Sequence, residues 1–326
     1  MSNCVEDKIK KTVLIFGGLG FIGKNLALNI CNGYDKVIIF DDLSNSTLIN
    51  DKINQKLKNT PNVEIILDSV LNYDNVANIV KQSNIIYYMA CKQISTSFED
   101  PLSHIRINYE AWINILDVIV KNNLKMDKLI YTSSTCIYGD KKNPLTEETE
   151  PQILNIYAAT KYASEQTSMM YGKLFNLPIV ILRYSNVYGP GQTLNNGYCG
   201  VIGKFLSQIK QNNPVTIIGN GNQTRDFTYI DNVVKLSCLV INNISTNLNV
   251  YNISEFNKTS VNQIVDIIKK YVKQDFEIVN IEKRNIDDVQ DREVDNRKIL
   301  STLNVTINNN SLDHGINETY KYLFDP

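Results

Sequence analysis

The sequence predicts an α/β protein, a doubly wound parallel sheet carrying a smaller mixed α/β lobe. Three observations predict it. Through residues 1–190, short apolar β-type runs alternate with helix-length segments, as parallel strands with crossover helices require. A glycine-rich turn, Gly17-Gly18-Leu19-Gly20-Phe21-Ile22-Gly23, follows the first such run directly. From about Gly191 the alternation breaks down into scattered helices and short strands, the pattern of a lobe laid over the carboxyl ends of the sheet strands. With 326 residues and 43% hydrophobic content, the chain can bury a core for one large domain or two joined ones.

Taken in order, strands are expected at 12–16, 37–40, 63–67, 85–89, 129–132 and 178–183, with helices at 21–31, 72–81, 102–122 and 157–175 between them. Helix 102–122 is apolar around much of its circumference, through Ile105, Ile107, Trp112, Ile115, Leu116, Ile119 and Val120, so it needs more than one neighbour. Pro144, Pro151 and the acidic run Glu147-Glu148-Thr149-Glu150 mark a loop before helix 157–175, and Gly189-Pro190-Gly191 marks the next. Beyond it, helices are expected at 201–211, 231–242 and 260–274, and strands at 215–218 and 249–253. The domains expected are a nucleotide-binding one over 1–190 and a mainly substrate-binding lobe over 191–326, some of whose segments return to the first.

A net charge of −1 with both signs interspersed excludes a nucleic-acid stripe or a membrane-binding patch and favours small polar ligands. Six cysteines without CxxC spacing, and a polar start from Met1 to Lys11, read as a protein of the reducing cytoplasm. His104 and His314 are the two histidines, and with no carboxylate-histidine cluster no metal is expected. No apolar segment reaches transmembrane length.

The glycine turn sits between a strand and a helix, the context of a dinucleotide fingerprint. Gly17 permits the tight turn, Gly20 lets backbone approach a pyrophosphate, and Gly23 allows close helix–strand packing, while the N–H groups of Phe21, Ile22 and Gly23 face the phosphates. Asp41 and Asp42 end the next strand, about 20 residues on, where a carboxylate accepts from ribose hydroxyls and repels a 2′-phosphate; NAD is therefore expected rather than NADP. Downstream, Tyr157-Ala-Ala-Thr-Lys161 places a phenol and an ammonium on one helix face. The ammonium favours the phenolate, which makes Tyr157 a candidate general base. Ser133 and Ser134 stand just past strand 129–132, at the sheet edge where a hydroxyl can bridge a substrate hydroxyl and the tyrosine oxygen.

These residues resemble the extended short-chain dehydrogenase/reductase family acting on nucleotide-diphosphate sugars, and within it the UDP-sugar 4-epimerases. The resemblance spans nearly the whole chain. It rests on residues 16–23, on Asp41-Asp-Leu-Ser44, on Tyr131-Thr-Ser-Ser-Thr-Cys-Ile-Tyr-Gly139, on Tyr157-Ala-Ala-Thr-Lys161, on Leu182-Arg-Tyr-Ser-Asn-Val-Tyr-Gly-Pro190 and on Arg225-Asp-Phe-Thr-Tyr229. It implies a Rossmann-type fold, with Ser134, Tyr157 and Lys161 catalytic. Asp68 and Ser69 fall where the family contacts adenine, Ser44, Ala90 and Lys92 where it lines the cofactor, and Asn108 on the long helix passing the catalytic serine. Tyr184 flanks the nicotinamide, and Thr135, Asn186 and Val201 fall on the substrate side. Arg225 matches the arginine that grips the diphosphate and Arg284 is a looser match to a second one, each apt for phosphate oxygens. The resemblance also implies a homodimer, with helices 102–122 and 157–175 and their twofold mates forming a four-helix bundle.

Departures from the family pattern choose among its activities. The 4,6-dehydratases carry Asp and Glu after the catalytic Ser/Thr, and the glucuronate decarboxylases carry Glu at the second place; here those places hold Thr135 and Cys136. The expected reaction is therefore NAD-dependent 4-epimerisation of a UDP-hexose, UDP-Glc/UDP-Gal or UDP-GlcNAc/UDP-GalNAc, through a transient 4-keto sugar. Alternatives are a 4-ketoreductase, a carbon 2, 3 or 5 epimerase using Cys136 as acid/base, a decarboxylase or 4,6-dehydratase, and, in another class, a catalytically silent NAD-sensing protein.

Overall fold

The computed structural model describes residues 9–46, 51–142, 144–192, 200–243, 248–282, 289–307 and 311–324. The chain begins β1 (Ile9–Phe16), α1 (Phe21–Ile30), β2 (Tyr34–Asp41), α2 (Lys52–Lys58), β3 (Val63–Leu67), α3 (Tyr73–Val80) and β4 (Ile85–Tyr88). It continues with α4 (Pro101–His104), a π-helical turn at Ile105–Glu110, α5 (Ala111–Lys121), β5 (Lys128–Ser134), α6 (Ile156–Phe175), β6 (Ile179–Tyr184) and β7 (Asn186–Tyr188). The remainder is α7 (Val201–Lys210), β8 (Val215–Ile218), β9 (Thr224–Tyr229), α8 (Ile230–Asn243), β10 (Asn249–Ile253), β11 (Lys258–Ser260), α9 (Val261–Tyr271), β12 (Ile278–Ile281), α10 (Arg297–Leu303) and α11 (Ser311–Phe324).

A seven-stranded sheet in the order β10-β6-β5-β4-β1-β2-β3 forms the centre, parallel throughout. β1 is apolar on both faces, as a strand covered by helices on each side must be. Val13 and Ile15 pack with α1 and α8 on one face, whereas Leu14 and Phe16 pack with α3 and α5 on the other. The strand order reverses between β1 and β4, so the chain leaves their carboxyl ends in opposite directions and opens a crevice there. The expected strands of the first half are all present. β10, at 249–253, joins this sheet beside β6.

A three-stranded sheet, β11-β9-β7, and a two-stranded one, β12-β8, stand beyond it with α7, α9 and α11 around a third core built on Phe205, Phe227 and Ile264. Helix 102–122 is not one uniform α-helix. It is α4, the π-turn and α5 in succession, and the extra residue per turn falls at Asn108, a fully buried polar side chain.

Candidate active site

A cleft of about 340 Å³ runs along the carboxyl ends of β1, β2, β4 and β5. Its lining includes Gly17, Gly20, Phe21, Ile22, Gly23, Asp41, Asp42, Ser44, Ala90, Lys92, Ser133, Ser134, Tyr157, Lys161 and Tyr184, all singled out in the sequence. At one end Gly17 adopts φ +75°, and a Cβ there would lie 2.7 Å from the Ala90 backbone nitrogen, so the β1 and β4 turns touch through bare backbone. A Cβ on Gly23 would lie 2.4 Å from the Gly17 carbonyl. Gly20 caps α1 with no side-chain hydrogen bond, which leaves the first-turn N–H groups to an anion.

Asp41 is buried at the end of β2 and accepts from Leu19 N at 3.0 Å, Leu43 N at 2.9 Å and Ser46 Oγ at 3.1 Å. Burial raises its pKa and those three donors oppose the rise. The aspartate thus ties the glycine turn to β2 as well as facing the cleft. Asp42 is exposed and holds Ser44 N at 2.9 Å. Two carboxylates and the hydroxyls of Ser44 and Ser46 at this end suit ribose hydroxyls and oppose a 2′-phosphate. In the middle, the buried Ser133 Oγ and Gln192 Oε1 both line the cleft without a partner, polar atoms placed for a ligand to satisfy. These features fit NAD.

The other end holds the acid–base group. Ser134 ends β5, Tyr157 and Lys161 share a face of α6, and Asn155 starts that helix by accepting from Ala158 N at 2.8 Å. Burial, then the thiols of Cys91 and Cys136, raise the Tyr157 pKa well above 10, and the neighbouring Ser134 hydroxyl opposes the rise. Lys161 is 1% exposed and donates to the Thr132 carbonyl at 2.8 Å; its Nζ lies 5.9 Å from the Tyr157 ring centre. Burial lowers its pKa. The sequence led us to expect an ammonium pulling the phenol down. The structure anchors that ammonium on β5, because a buried Lys needs a fixed acceptor and the Thr132 carbonyl supplies one.

Asn108 lies behind the cleft wall. Its Oδ1 accepts from Lys92 N at 2.8 Å and its Nδ2 donates to Thr160 Oγ1 at 3.2 Å, so it fixes the loop after β4 against α6 rather than lining the cavity. Asp68 and Ser69 stand outside the lining, which Val70 reaches; Asp68 accepts from Ser69 N at 2.7 Å and from Asn72 at 2.9 Å. Those donors, with Asn75 first among them, hold its carboxyl below the usual range. Asn186 donates to the Asp226 carbonyl at 3.3 Å, and Arg225 donates to the Thr224 carbonyl at 2.7 Å on β9. Neither lines the cleft, nor do Thr135, Cys136 and Val201, which begin the turn after β5 and α7. Arg284 lies outside the described residues.

Sequence reasoning missed Cys91, Gln93 and Ser46 in the lining, although each lies within two residues of one it found, and it missed the Thr132 carbonyl, whose role no side chain signals. The sequence around Asp291 and Arg292, where the family tunes tolerance for an N-acetyl group, does not align unambiguously, and the structure gives a place to Arg292. It is buried, with Nη1 3.8 Å from Cys136 Sγ and Nη2 donating to the Gly139 carbonyl at 3.0 Å. Among the described residues no group of three or more metal-ligating side chains occurs, and no helix is long and apolar enough to cross a membrane.

Comparison with known proteins now identifies the family. Residues 13–254 match the model of the NAD dependent epimerase/dehydratase family, and the chain belongs to that family of enzymes. A putative UDP-glucose 4-epimerase of Methanocaldococcus jannaschii is 34% identical over 260 residues, 79% of this chain and 81% of the relative. A UDP-N-acetyl-alpha-D-glucosaminuronate decarboxylase of Bacillus cytotoxicus is 28% identical over 297 residues, 89% of each chain. Among solved structures, the UDP-N-acetylglucosamine 4-epimerase of Methanobrevibacter ruminantium, in complex with UDP-N-acetylmuramic acid, superposes with a TM-score of 0.88 at 28% identity, over 97% of this chain and 98% of that one. The cofactor is NAD, as the carboxylates at the end of β2 led us to expect.

Proposed function

We propose that this member of the NAD dependent epimerase/dehydratase family inverts carbon 4 of a UDP-hexose through a transient 4-keto sugar. The observation that carries the proposal is the convergence of Ser134, Tyr157 and Lys161 at one end of the cleft, followed by Thr135 and Cys136 where elimination or decarboxylation would call for carboxylates. The names of the M. jannaschii and M. ruminantium relatives support the same position on the ring. The missing glutamate at Cys136 speaks against the decarboxylase alternative despite the B. cytotoxicus relative.

In this reading, Tyr157 removes the proton of the 4-hydroxyl while Ser134 holds the same oxygen, first as hydroxyl and then as ketone. Burial disfavours an isolated phenolate at Tyr157, and the balancing charge is assigned to the Lys161 ammonium, whose Nζ lies 5.9 Å from the centre of the Tyr157 ring. The chemistry that NAD supplies when bound is reversible hydride acceptance from carbon 4. Gly17, Gly20 and the first turn of α1 hold the pyrophosphate, Asp41 the adenosine ribose, and Lys161 the nicotinamide ribose. Val201, Asn186 and Arg225 are assigned to the substrate diphosphate, and Thr135 to the sugar, on the family resemblance alone, since none of them lines the cleft. After the 4-keto sugar turns in the cleft, Tyr157 returns the proton to the new 4-hydroxyl, with no net redox change.

The enzyme is further proposed to act in the cytoplasm as a homodimer. Replacing Tyr157→Phe should lower kcat by at least about 1,000-fold in NMR assays of 4-epimer formation, with NAD affinity within about threefold of wild type. Retention of wild-type turnover would sink the assignment.

A further inference from the structure

Lys24 and Lys161 are each 1% exposed, and their ammonium groups are held differently. Lys24 is paired with the Asp51 carboxylate, the usual answer to a charge taken out of water. Lys161 has no carboxylate within ion-pair distance among the described residues. Glu165, one turn along the same face of α6, is engaged by Arg183, whose Nε donates to it at 3.0 and 3.2 Å and whose Nη2 donates at 2.6 Å. The partners of Lys161 are neutral: the Thr132 carbonyl at 2.8 Å and the face of Tyr131, whose ring centre lies 5.1 Å from Nζ. That ring is nearer than the Tyr157 ring at 5.9 Å.

The Tyr131 ring is itself held firmly. It is fully buried, stacks on Tyr88 with 9° between the planes and 6.1 Å between centres, and packs against Trp112 at 5.3 Å. Its hydroxyl donates to the Asn108 carbonyl at 3.0 Å. An aromatic face attracts a cation through its quadrupole, most strongly away from water, and carries no charge of its own. A carboxylate in the same place would cancel the field of the lysine. A carbonyl and a ring hold the ammonium and leave its full positive charge acting on Tyr157. Tyr157 requires that charge, because burial and the two nearby thiols oppose its phenolate. Burial works against the Lys161 ammonium as well, so the groups that stabilise it decide how much of the charge is present.

We propose that Tyr131 is a positioning residue for the reaction: its ring face, with the Thr132 carbonyl, holds Lys161 charged and without a counter-ion beside Tyr157. This seat serves the proposed 4-epimerase chemistry, on which the inference rests, and adds a residue to its acid–base group. Tyr131 does not line the cleft, so its effect passes through Lys161. Tyr131, Thr132 and Ser134 all belong to β5, so one strand supplies both the seat of the ammonium and the hydroxyl beside the phenol.

The test weakens the attraction of the ring while keeping its shape. Tyr131→Phe retains the ring and removes the hydroxyl, and forms of that phenylalanine carrying successively more ring fluorines draw negative charge away from the ring face. With NAD bound and UDP-glucose as substrate, kcat/KM is measured on the acid limb of its pH profile. It should stay within about threefold of wild type in Tyr131→Phe and fall stepwise with fluorine content, to about tenfold below, as the limb moves to higher pH. The Tyr157 phenolate is followed separately in the NAD-bound protein, by ultraviolet absorbance as the difference from the matching Tyr157→Phe variant, and its titration midpoint should rise in the same steps. Equal activities and equal midpoints across the fluorinated series, in variants of unchanged Tm, would overturn the inference and leave the proposed function standing. So would a loss already complete in Tyr131→Phe, which would assign the residue to its hydroxyl bond with Asn108. If Tyr131→Phe does not fold, ring-fluorinated tyrosines at position 131 replace the series, with the same two outcomes for fluorine content. If no UDP-hexose is epimerised, the proposed function fails and the phenolate titration decides alone: a stepwise rise upholds the seat, and a flat series overturns it.

Discussion

Individual residues divide by whether their role is local or tertiary. Gly17, Gly23, Tyr157 and Lys161 could be read from spacing alone, because a strand–turn–helix and an i,i+4 pair are properties of short segments. The acceptor for Lys161 could not, since the Thr132 carbonyl reaches it only when β5 and α6 pack together. The same holds for Asn108. Sequence similarity suggests a cofactor contact, whereas the folded chain uses the side chain to satisfy Lys92 N and to tether Thr160. Replacing Asn108→Ala removes both bonds and leaves the Lys92 N–H without its acceptor, so stability should fall by about 2 kcal/mol. Urea unfolding measures this, and a change below about 0.5 kcal/mol would show that the contact is dispensable. NAD affinity should weaken in parallel, because Lys92 lines the cleft.

Among the elements, α5 and α6 carry the most information. Their inner faces are settled: Trp112, Ile115, Leu116 and Ile119 are buried in the core of one sheet face, and Trp112 Nε1 donates to Ser168 at 2.8 Å. What the apolar circumference leaves over is exposed near the two ends of the pair, with Phe98, Leu102 and Ile105 at one and Met170, Leu174 and Phe175 at the other, Leu174 at 68% exposure. Large apolar side chains so placed favour association. Light scattering after size exclusion should give twice the chain mass of 37.1 kDa, and the double variant Leu102→Glu/Leu174→Glu should elute as a single chain. A wild-type protein of single-chain mass would contradict the dimer. Sequence periodicity read these helices as helices but not the π-turn at Ile105–Glu110, where one extra residue is set by the tertiary demands on Asn108.

At the scale of the whole molecule, the central sheet was legible because each buried parallel strand is a continuous apolar run. The second half was less so. β9 reads Thr-Arg-Asp-Phe-Thr-Tyr, without alternation, and it is a strand because the buried Asp226 organises what surrounds it, accepting from Glu255 N at 3.0 Å, Asn257 N at 3.1 Å and Val294 N at 3.3 Å. Burial pushes its pKa up to about 7, from 3.8. A carboxyl whose folded pKa is raised favours the fold while protonated, so this contribution is complete below about pH 3.8 and is lost as pH rises through 7. Asp41 shifts in the same direction. Carboxyls held low, such as Asp68 and Asp295, stay ionised in both states above about pH 5 and do not alter the trend. Tm of the cofactor-free protein should therefore fall between pH 5 and pH 7.5, and a flat or rising profile would show that Asp226 remains ionised throughout.

The central claim is that Ser134, Tyr157 and Lys161 work on carbon 4 alone and that the hydrogen removed there returns to the same carbon. The most direct test is turnover of UDP-glucose and UDP-glucuronate with NAD in deuterium oxide, followed by NMR of the sugar ring. The account requires a 4-epimer with protium kept at every ring carbon. Solvent deuterium at carbon 3 or carbon 5 would contradict it and would place Cys136, rather than Tyr157, at the centre of the chemistry.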